Sequence, residues 1–413
     1  MKKLITLMFI LFPLSLFSQL MPRDSSDLVD LYYKTNGKNW KNNSGWFSSD
    51  LNSWYGITFY EGEKTVVIGL DLKENQLGGK FPVFSFPLIQ KINLSLNELT
   101  GAVPRISSNQ LRYLDLSKNG NEKNTGLTGS LQDFYAPKLE YLNLSFNEFS
   151  GEIPNLALDN IKYLNLSNND FSGNGPKLLV PELIELDLSN NSLTGSIPSV
   201  LSGNIKKMDL SRNQFSRVID IDVPSIEEIN LIRNKLSFEE LEKLPKVEKL
   251  RYRDQKHIYN LFKISTKNHD IYFLDSKSKN NNYFWQIEFE GIENDKSYLI
   301  RPSNSFVSCL VKNELFPDLT LNSKEVDLAK SSKKLNVLPT SKKGRISIEF
   351  EDFPVGKLTI RLFDLDRKEQ ISIINLNESG RIMNLNYPGL LEGKYLLHVR
   401  SENQDYFGEF KID

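Results

Sequence analysis

A nine-residue pattern, L-x-x-L-x-L-x-x-N, returns along this chain at a nearly fixed step, and that repetition constrains its fold more than any other feature. It occupies residues 67–75, 89–97, 111–119, 139–147, 161–169, 183–191, 205–213 and 226–234, with a degenerate copy at 247–255. Successive copies start 21 or 22 residues apart, save one step of 28. A period in the twenties is too short for an independent domain. Each repeat therefore has to be one coil of a solenoid, which buries its apolar side chains only against the coils beside it. The fourth and sixth positions of each copy are expected to point inward from a short parallel strand. The asparagine is expected to turn the chain off that strand, bonding backbone groups of adjacent coils through its amide.

After the asparagine, several copies continue L-T-G-x-I-P, as in Leu99-Thr100-Gly101-Ala102-Val103-Pro104, 149–154 and 193–198. Glycine permits a bend there, and proline ends the segment before the next strand. Together these motifs resemble the plant-type leucine-rich repeat. Thr35-Asn36-Gly37-Lys38-Asn39-Trp40, Gly45-Trp46 and Trp54-Tyr55-Gly56-Ile57 resemble the helical cap that precedes such repeats. Plant caps commonly carry paired cysteines, which are absent here, so the three tryptophans are expected to form the core of the cap.

Beyond residue 255 the texture changes. Short segments rich in aromatic and β-branched residues, 259–265, 270–274, 283–289 and 306–311, alternate with Asn/Lys/Ser clusters, a pattern of antiparallel strands. Tyr283-Phe284-Trp285-Gln286 and Val307-Ser308-Cys309-Leu310-Val311 resemble strands C and F of an immunoglobulin-like domain. The second cysteine of that family is missing, and Cys309 is expected to be a buried free thiol near Trp285. A polar linker at 329–334 precedes a last series of strands at 345–351, 357–363, 369–375, 381–385, 394–400 and 407–412. With Leu338-Pro339 and Gly393-Lys394-Tyr395-Leu396-Leu397, these resemble the C-terminal sorting domain of the type IX secretion system of Bacteroidetes. Leu338-Pro339-Thr340-Ser341 stands where that family usually has Pro-Asn-Pro. The fold class expected is an α/β leucine-rich-repeat solenoid followed by two all-β sandwich domains. The expected divisions are a signal peptide at 1–18, a cap at 19–62, the solenoid at 63–255 and the two sandwiches at 256–330 and 333–413.

The N-terminus suggests export. Lys2 and Lys3 precede an apolar run over 4–17 and then Ser18-Gln19, the layout of a signal peptide cleaved after Ser18. No cysteine stands at the end of that run, and no later segment reads as a membrane span, so a lipoprotein anchor and an integral span are not expected. The expected location is extracellular or on the outer cell surface. The type IX resemblance implies that machinery as a partner.

Charge and chemistry narrow the function. Fifty-one basic and 52 acidic residues give a formal charge of −1, leaving no global field to attract nucleic acid. Three histidines and one cysteine provide little for a transition-metal site. Metalloprotease, P-loop, nucleophile-elbow and EF-hand motifs are all missing, so neither an enzyme nor a cofactor is expected. The pairs Asp364/Asp366 and Asp220/Asp222 are too sparse for calcium. Solenoids bind through equivalent positions of successive coils. The third position reads Gly69, Lys91, Tyr113, Tyr141, Tyr163, Glu185, Lys207, Glu228, Lys249, which places three tyrosines in a row about 4.8 Å apart. Phe146 and Leu96, at the eighth position, are expected to border them, with Asp115, Asn143 and Asn165 of the fifth position alongside. The expected ligand is a protein, peptide or glycan on this face. A structural spacer without a ligand is the alternative, and an extracellular hydrolase the remotest one. Two further features are noted: six extra residues within 120–126, and a basic run in the last coils from Lys206 to Arg253.

Overall fold

The computed structural model describes residues 22–413, apart from 62–65, 84, 105, 121–125, 132–134, 155, 157, 201, 220–222, 266–268, 288–289, 295, 303–306, 328–332, 340–344, 353, 355, 378–379, 403 and 413. The expected signal peptide, the extra residues of the third coil at 121–125 and Asp220/Asp222 lie outside the described residues. The chain divides into two compact units. One comprises residues 1–236 and 243–256, the other 237–242 and 257–413.

The first unit opens with the helix Pro22–Lys34, whose Leu28 and Leu31 are fully buried. Beneath it the expected tryptophan core has formed. Trp40, Trp46 and Trp54 are buried, pack edge-on or tilted with Tyr32 and Phe47, and each indole N–H donates to a backbone carbonyl. The strand Ile57–Phe59 then pairs antiparallel with Val67–Asp71. From there one parallel strand per coil continues the sheet to Lys249–Arg251, ten strands among the described residues.

Each strand covers the third to fifth positions of its repeat, and equivalent positions pair in register from coil to coil. At the fourth position Leu70, Ile92, Leu114, Leu142, Leu164, Leu186, Met208 and Ile229 are buried, as are the leucines at the sixth position from Leu72 to Leu231. Burying such a side chain contributes about 1.5–3 kcal/mol. The apolar rows are thus what hold one coil against the next.

The opposite side departs from the expected α/β class. The L-T-G stretches form a second parallel sheet of seven strands, from Gly78–Lys80 to Gln214–Arg217, in place of helices. Glycines such as Gly101, at φ +81, permit the left-handed bend at which each of these strands turns. The buried row Leu99, Leu127, Phe149, Phe171, Leu193 and Phe215 faces the core from this side. Among the described residues α-helix is confined to Pro22–Lys34 and the single turn Phe238–Leu241, so the protein is mostly β.

The asparagine of each repeat carries the ladder between the sheets. Asn169 Nδ2 donates to Leu144 O, Leu166 O and Ser167 O at 3.0–3.1 Å, while its Oδ1 accepts from Phe149 N at 3.0 Å. Asn97, Asn119, Asn147, Asn191, Asn213 and Asn234 repeat the arrangement. In the degenerate last copy Gln255 takes over. Its Nε2 donates to Leu231 O and Tyr252 O, and its Oε1 accepts from Leu236 N.

The second unit holds two seven-stranded sheets. The first runs in the order Glu290–Asn294, Asn281–Ile287, Val307–Asn313, Thr320–Asp327, Ile258–Ser265, His269–Leu274, Tyr298–Pro302. Trp285 is fully buried, donates to Lys296 O and lies directly across the strand pair from Cys309. Cys309 is buried, and that burial pushes its thiol up to about 12. The second sheet runs Glu369–Leu376, Leu358–Asp364, Gly393–Arg400, Asp405–Ile412, Lys333–Pro339, Arg345–Phe350, Ile382–Asn386. Phe262, Ile264, Ile271, Phe273 and Ile300 of the first sheet share one apolar cluster with Phe363, Leu365 and Leu396 of the second. The two sheets are therefore joined by a buried seam.

Candidate ligand-binding face of the solenoid

The in-register ladder brings the third-position tyrosines side by side. Tyr113 pairs with Tyr141, and Tyr141 with Tyr163. The rings of Tyr113 and Tyr141 stack at 4.4 Å with their planes 5° apart, whereas Tyr163 tilts away by 46° at 6.1 Å. Tyr113 and Tyr141 are half-buried and Tyr163 is exposed. Burial first, and the Asp115 carboxylate second, raise the pKa of Tyr113 and Tyr141, so both phenols remain protonated donors at neutral pH.

The neighbours of this aromatic row are charged and paired. Lys91 Nζ stands 5.5 Å from the Tyr113 ring centre and bonds Asp71 at 2.7 Å. At the other end Lys207 pairs with Glu185 at 3.4 Å. One position earlier along the strands, Glu140 bridges Arg112 and Lys162, whose bonds hold its carboxyl below the usual carboxylate range. This flanking network had no distinctive sequence signal, because its members occupy variable positions of the repeat. The basic run of the last coils is largely neutralised in the same manner: Lys206 pairs with Glu227, Arg233 with Asp254, and Arg251 with Glu228.

The fifth-position residues are occupied with the fold. Asp115 Oδ1 accepts from Ser117 N and Oγ, Asn143 Oδ1 from Ser145 N and Oγ, and Asn165 Oδ1 from Ser167 N and Oγ. These turns close the strand end, which explains the recurring D/N-x-S triplet. What remains toward the tyrosines is Asp115 Oδ2, 3.5 Å from Tyr113 Oη, and Asn143 Nδ2, 3.4 Å from Tyr141 Oη.

Leu96 and Phe146 lie on the corner that follows the strand. Every eighth position is left-handed there: Glu74, Leu96, Lys118, Phe146, Asn168, Asn190, Arg212, Arg233 and Asp254 have φ between 53° and 59°. The backbone N–H of Leu96 donates to Ser117 O and that of Phe146 to Ser167 O, so the ladder imposes this conformation whatever the side chain. Phe146 is 50% exposed and lies under Lys118 Nζ at 5.3 Å, and Leu96 lines a shallow hollow with Glu74, Gln76 and Lys118. A left-handed Phe costs about 1 kcal/mol relative to residues that tolerate the region. Phe146→Asn should therefore raise the unfolding free energy of the solenoid by about 0.5–1 kcal/mol, as read from urea midpoints. No gain would mean that the contact with Lys118 matters more than the backbone.

Among the described residues no group of three or more His, Cys, Asp or Glu side chains is placed to hold a metal ion. Asp364 is instead a turn-former: its carboxylate accepts from Asp366 N and Arg367 N and pairs with the Arg367 side chain. None of the described helices is long and apolar enough to cross a membrane.

Three stretches, residues 138–157, 160–180 and 182–203, match the family described as Leucine Rich Repeat. No curated protein matches the chain. Among solved structures it is similar to the BIR2 ectodomain from Arabidopsis thaliana, at 24% identity over 44% of this chain and 92% of that one, with a TM-score of 0.27. It is also similar to InlP of Listeria monocytogenes, at 15% identity over 81% and 69%, TM-score 0.30. A two-domain fibronectin type-III segment of chicken tenascin aligns at 9% identity over 37% and 97%, TM-score 0.16. The three matched stretches are leucine-rich repeats, and the in-register strands and the asparagine ladder run on through the coils on either side of them.

Proposed function

We propose that this chain is an exported binding protein that recognises a protein, peptide or glycan on the tyrosine row of its solenoid. The observation that carries the reading is the contrast within one row of the sheet. Lys91, Glu185 and Lys207 are tied into ion pairs, whereas Tyr113, Tyr141 and Tyr163 present apolar faces and phenol donors between them. Aromatic rings with a polar tip supply contact area at low entropic cost, and they dominate binding energy where they sit centrally. Leu96 and Phe146 would widen the contact along the corner. The reading involves binding without catalysis, and it needs no cofactor.

Export is supported by the charged and apolar layout of residues 1–18. Passage through the type IX machinery is supported by the resemblance of the last eighty or so residues to its sorting domain. The immunoglobulin-like reading of the preceding sheet is supported by Trp285 packed across from Cys309. One observation favours the spacer alternative: Tyr113 and Tyr141 cover one another face to face, as a ladder without a ligand would. A screen of the full chain against glycan arrays and cell-surface extracts separates the two. For a captured ligand that Arg361→Gln still binds, Tyr141→Ala should weaken affinity roughly tenfold to a hundredfold, the effect of losing a central aromatic anchor. Undiminished affinity in that variant would remove the tyrosine row from the site.

A further inference from the structure

The second unit contains a cavity of about 440 Å³ between its two sheets. Three cations line it, Arg361, Lys277 and Lys279, and none of its lining residues is acidic. The lysines are exposed at the mouth. Arg361 is different. It sits in the strand Leu358–Asp364, only 9% exposed, with its guanidinium carbon 4.9 Å from the Phe273 ring centre. Its Nη1 is buried and has no hydrogen-bond partner.

A guanidinium carries five N–H donors in a planar fork, and a buried one left short of acceptors costs several kcal/mol. Chains that retain such a group generally supply an anion for it. No carboxylate here bonds Nη1. Arg400, a like charge that acts on Arg361, is engaged with Asp405 at 2.9 Å. Burial, with Arg400 adding to it against the opposing pull of Asp405 and Asp275, lowers Arg361 to about 10, so it remains a cation at neutral pH. The cavity's other polar groups include Gln370 and Asn375, which can satisfy the remaining lone pairs of a bound oxyanion.

We infer that this cavity is a binding site for a small oxyanion, a carboxylate, sulfate or phosphate borne by a ligand about the size of one sugar ring, with Arg361 as its inner anchor and Lys277 and Lys279 at its entrance. The site is separate from the tyrosine row, and its test does not depend on that reading.

The test is calorimetric titration of the full chain with inorganic sulfate, inorganic phosphate and glucuronate at constant low chloride. Saturable binding of at least one probe is expected. Arg361→Gln should weaken it at least tenfold, as the loss of a charge-assisted pair does. Lys277→Ser with Lys279→Ser should weaken it several-fold, and Tyr141→Ala should leave it unchanged. Preference for glucuronate would identify a carboxylated ligand, and preference for sulfate or phosphate a sulfated or phosphorylated one. No saturable heat by roughly 50 mM of any probe, a bound well below any specific affinity, would overturn the inference. So would equal affinity in a folded Arg361→Gln variant. Should that variant not fold, the double lysine variant decides, and unchanged affinity there would be equally fatal.

Discussion

Asn169→Ala is expected to lower the unfolding free energy of the solenoid by about 2–3 kcal/mol, because the buried amide of Phe149 is left unsatisfied and three carbonyls each lose one of two donors. The side chain is 7% exposed and ties three carbonyls of two coils to the amide of Phe149 in the second sheet. Alanine would strip Phe149 N of its acceptor, while Leu144 O would keep its bond from Asn147 Nδ2. Because a solenoid is stabilised by nearest-neighbour interfaces, the loss falls on the interface between two coils and should split the transition in two. Urea unfolding followed by hydrogen exchange of the strands Tyr141–Asn143 and Tyr163–Asn165 would register it. Asn190→Ala, one coil further at an exposed corner position, should cost at most about 1 kcal/mol, the scale of a left-handed backbone preference. Similar losses at the two sites would refute the ladder argument.

The second large effect concerns acid. His398 is fully buried, with Nε2 2.8 Å from Asp405 Oδ1. Burial pushes its pKa down to about 4, and the cations Arg361 and Arg400 add to this against the opposing pull of Asp405. The imidazole is therefore neutral in the folded unit, donating from Nε2 to Asp405. The unfolded chain takes up a proton near pH 6.5, before the folded one does. The stability this group contributes is accordingly complete above about pH 6.5 and lost as pH falls from there to about 4, by roughly 3 kcal/mol. The Asp405 carboxyl is also held low, through its bonds to His398 and Arg400 against the effect of its burial, and adds a further loss below the usual aspartate range. Thermal melts of the full chain between pH 7 and 4, with hydrogen exchange of Gly393–Arg400 to localise the transition, should show this acid limb. His398→Gln should flatten it between pH 6.5 and 4. An unchanged slope in that variant would assign the limb to other groups.

Much of the solenoid was legible in the sequence because its period couples two simple rules. The positions that alternate inward must be apolar, and the position that leaves the strand must carry an amide. Leu142, Leu144 and Asn147 show both rules in a single coil. The strands after residue 257 were legible for a similar reason. Alternating aromatic and β-branched residues place Leu358–Asp364 and Gly393–Arg400 within one or two residues of where the composition puts them.

What escaped the sequence depends on geometry between segments. The L-T-G stretch reads as a bend, and it becomes a strand only because its neighbours one coil away pair with it. The backbone conformation of Phe146 has no mark in its own residue type. The ladder holds it left-handed, with its ring under Lys118. Asn143 and Asn165 look like free amides, yet each spends its oxygen on the serine two residues on. Gln255 reads as decay of the motif, although one extra methylene lets it complete the ladder. The burial of Arg361 has no sequence signature, because nothing in 357–363 announces that its charge faces the seam between two sheets.

The most direct test of the central reading is to replace Tyr113, Tyr141 and Tyr163 together by alanine and compare capture by the full chain on glycan arrays and cell-surface extracts. Circular dichroism would verify that the coils persist. The expected result is that every ligand the wild-type chain captures independently of Arg361 is lost from the folded variant. Retention of those ligands by a folded triple variant would contradict recognition on the tyrosine row.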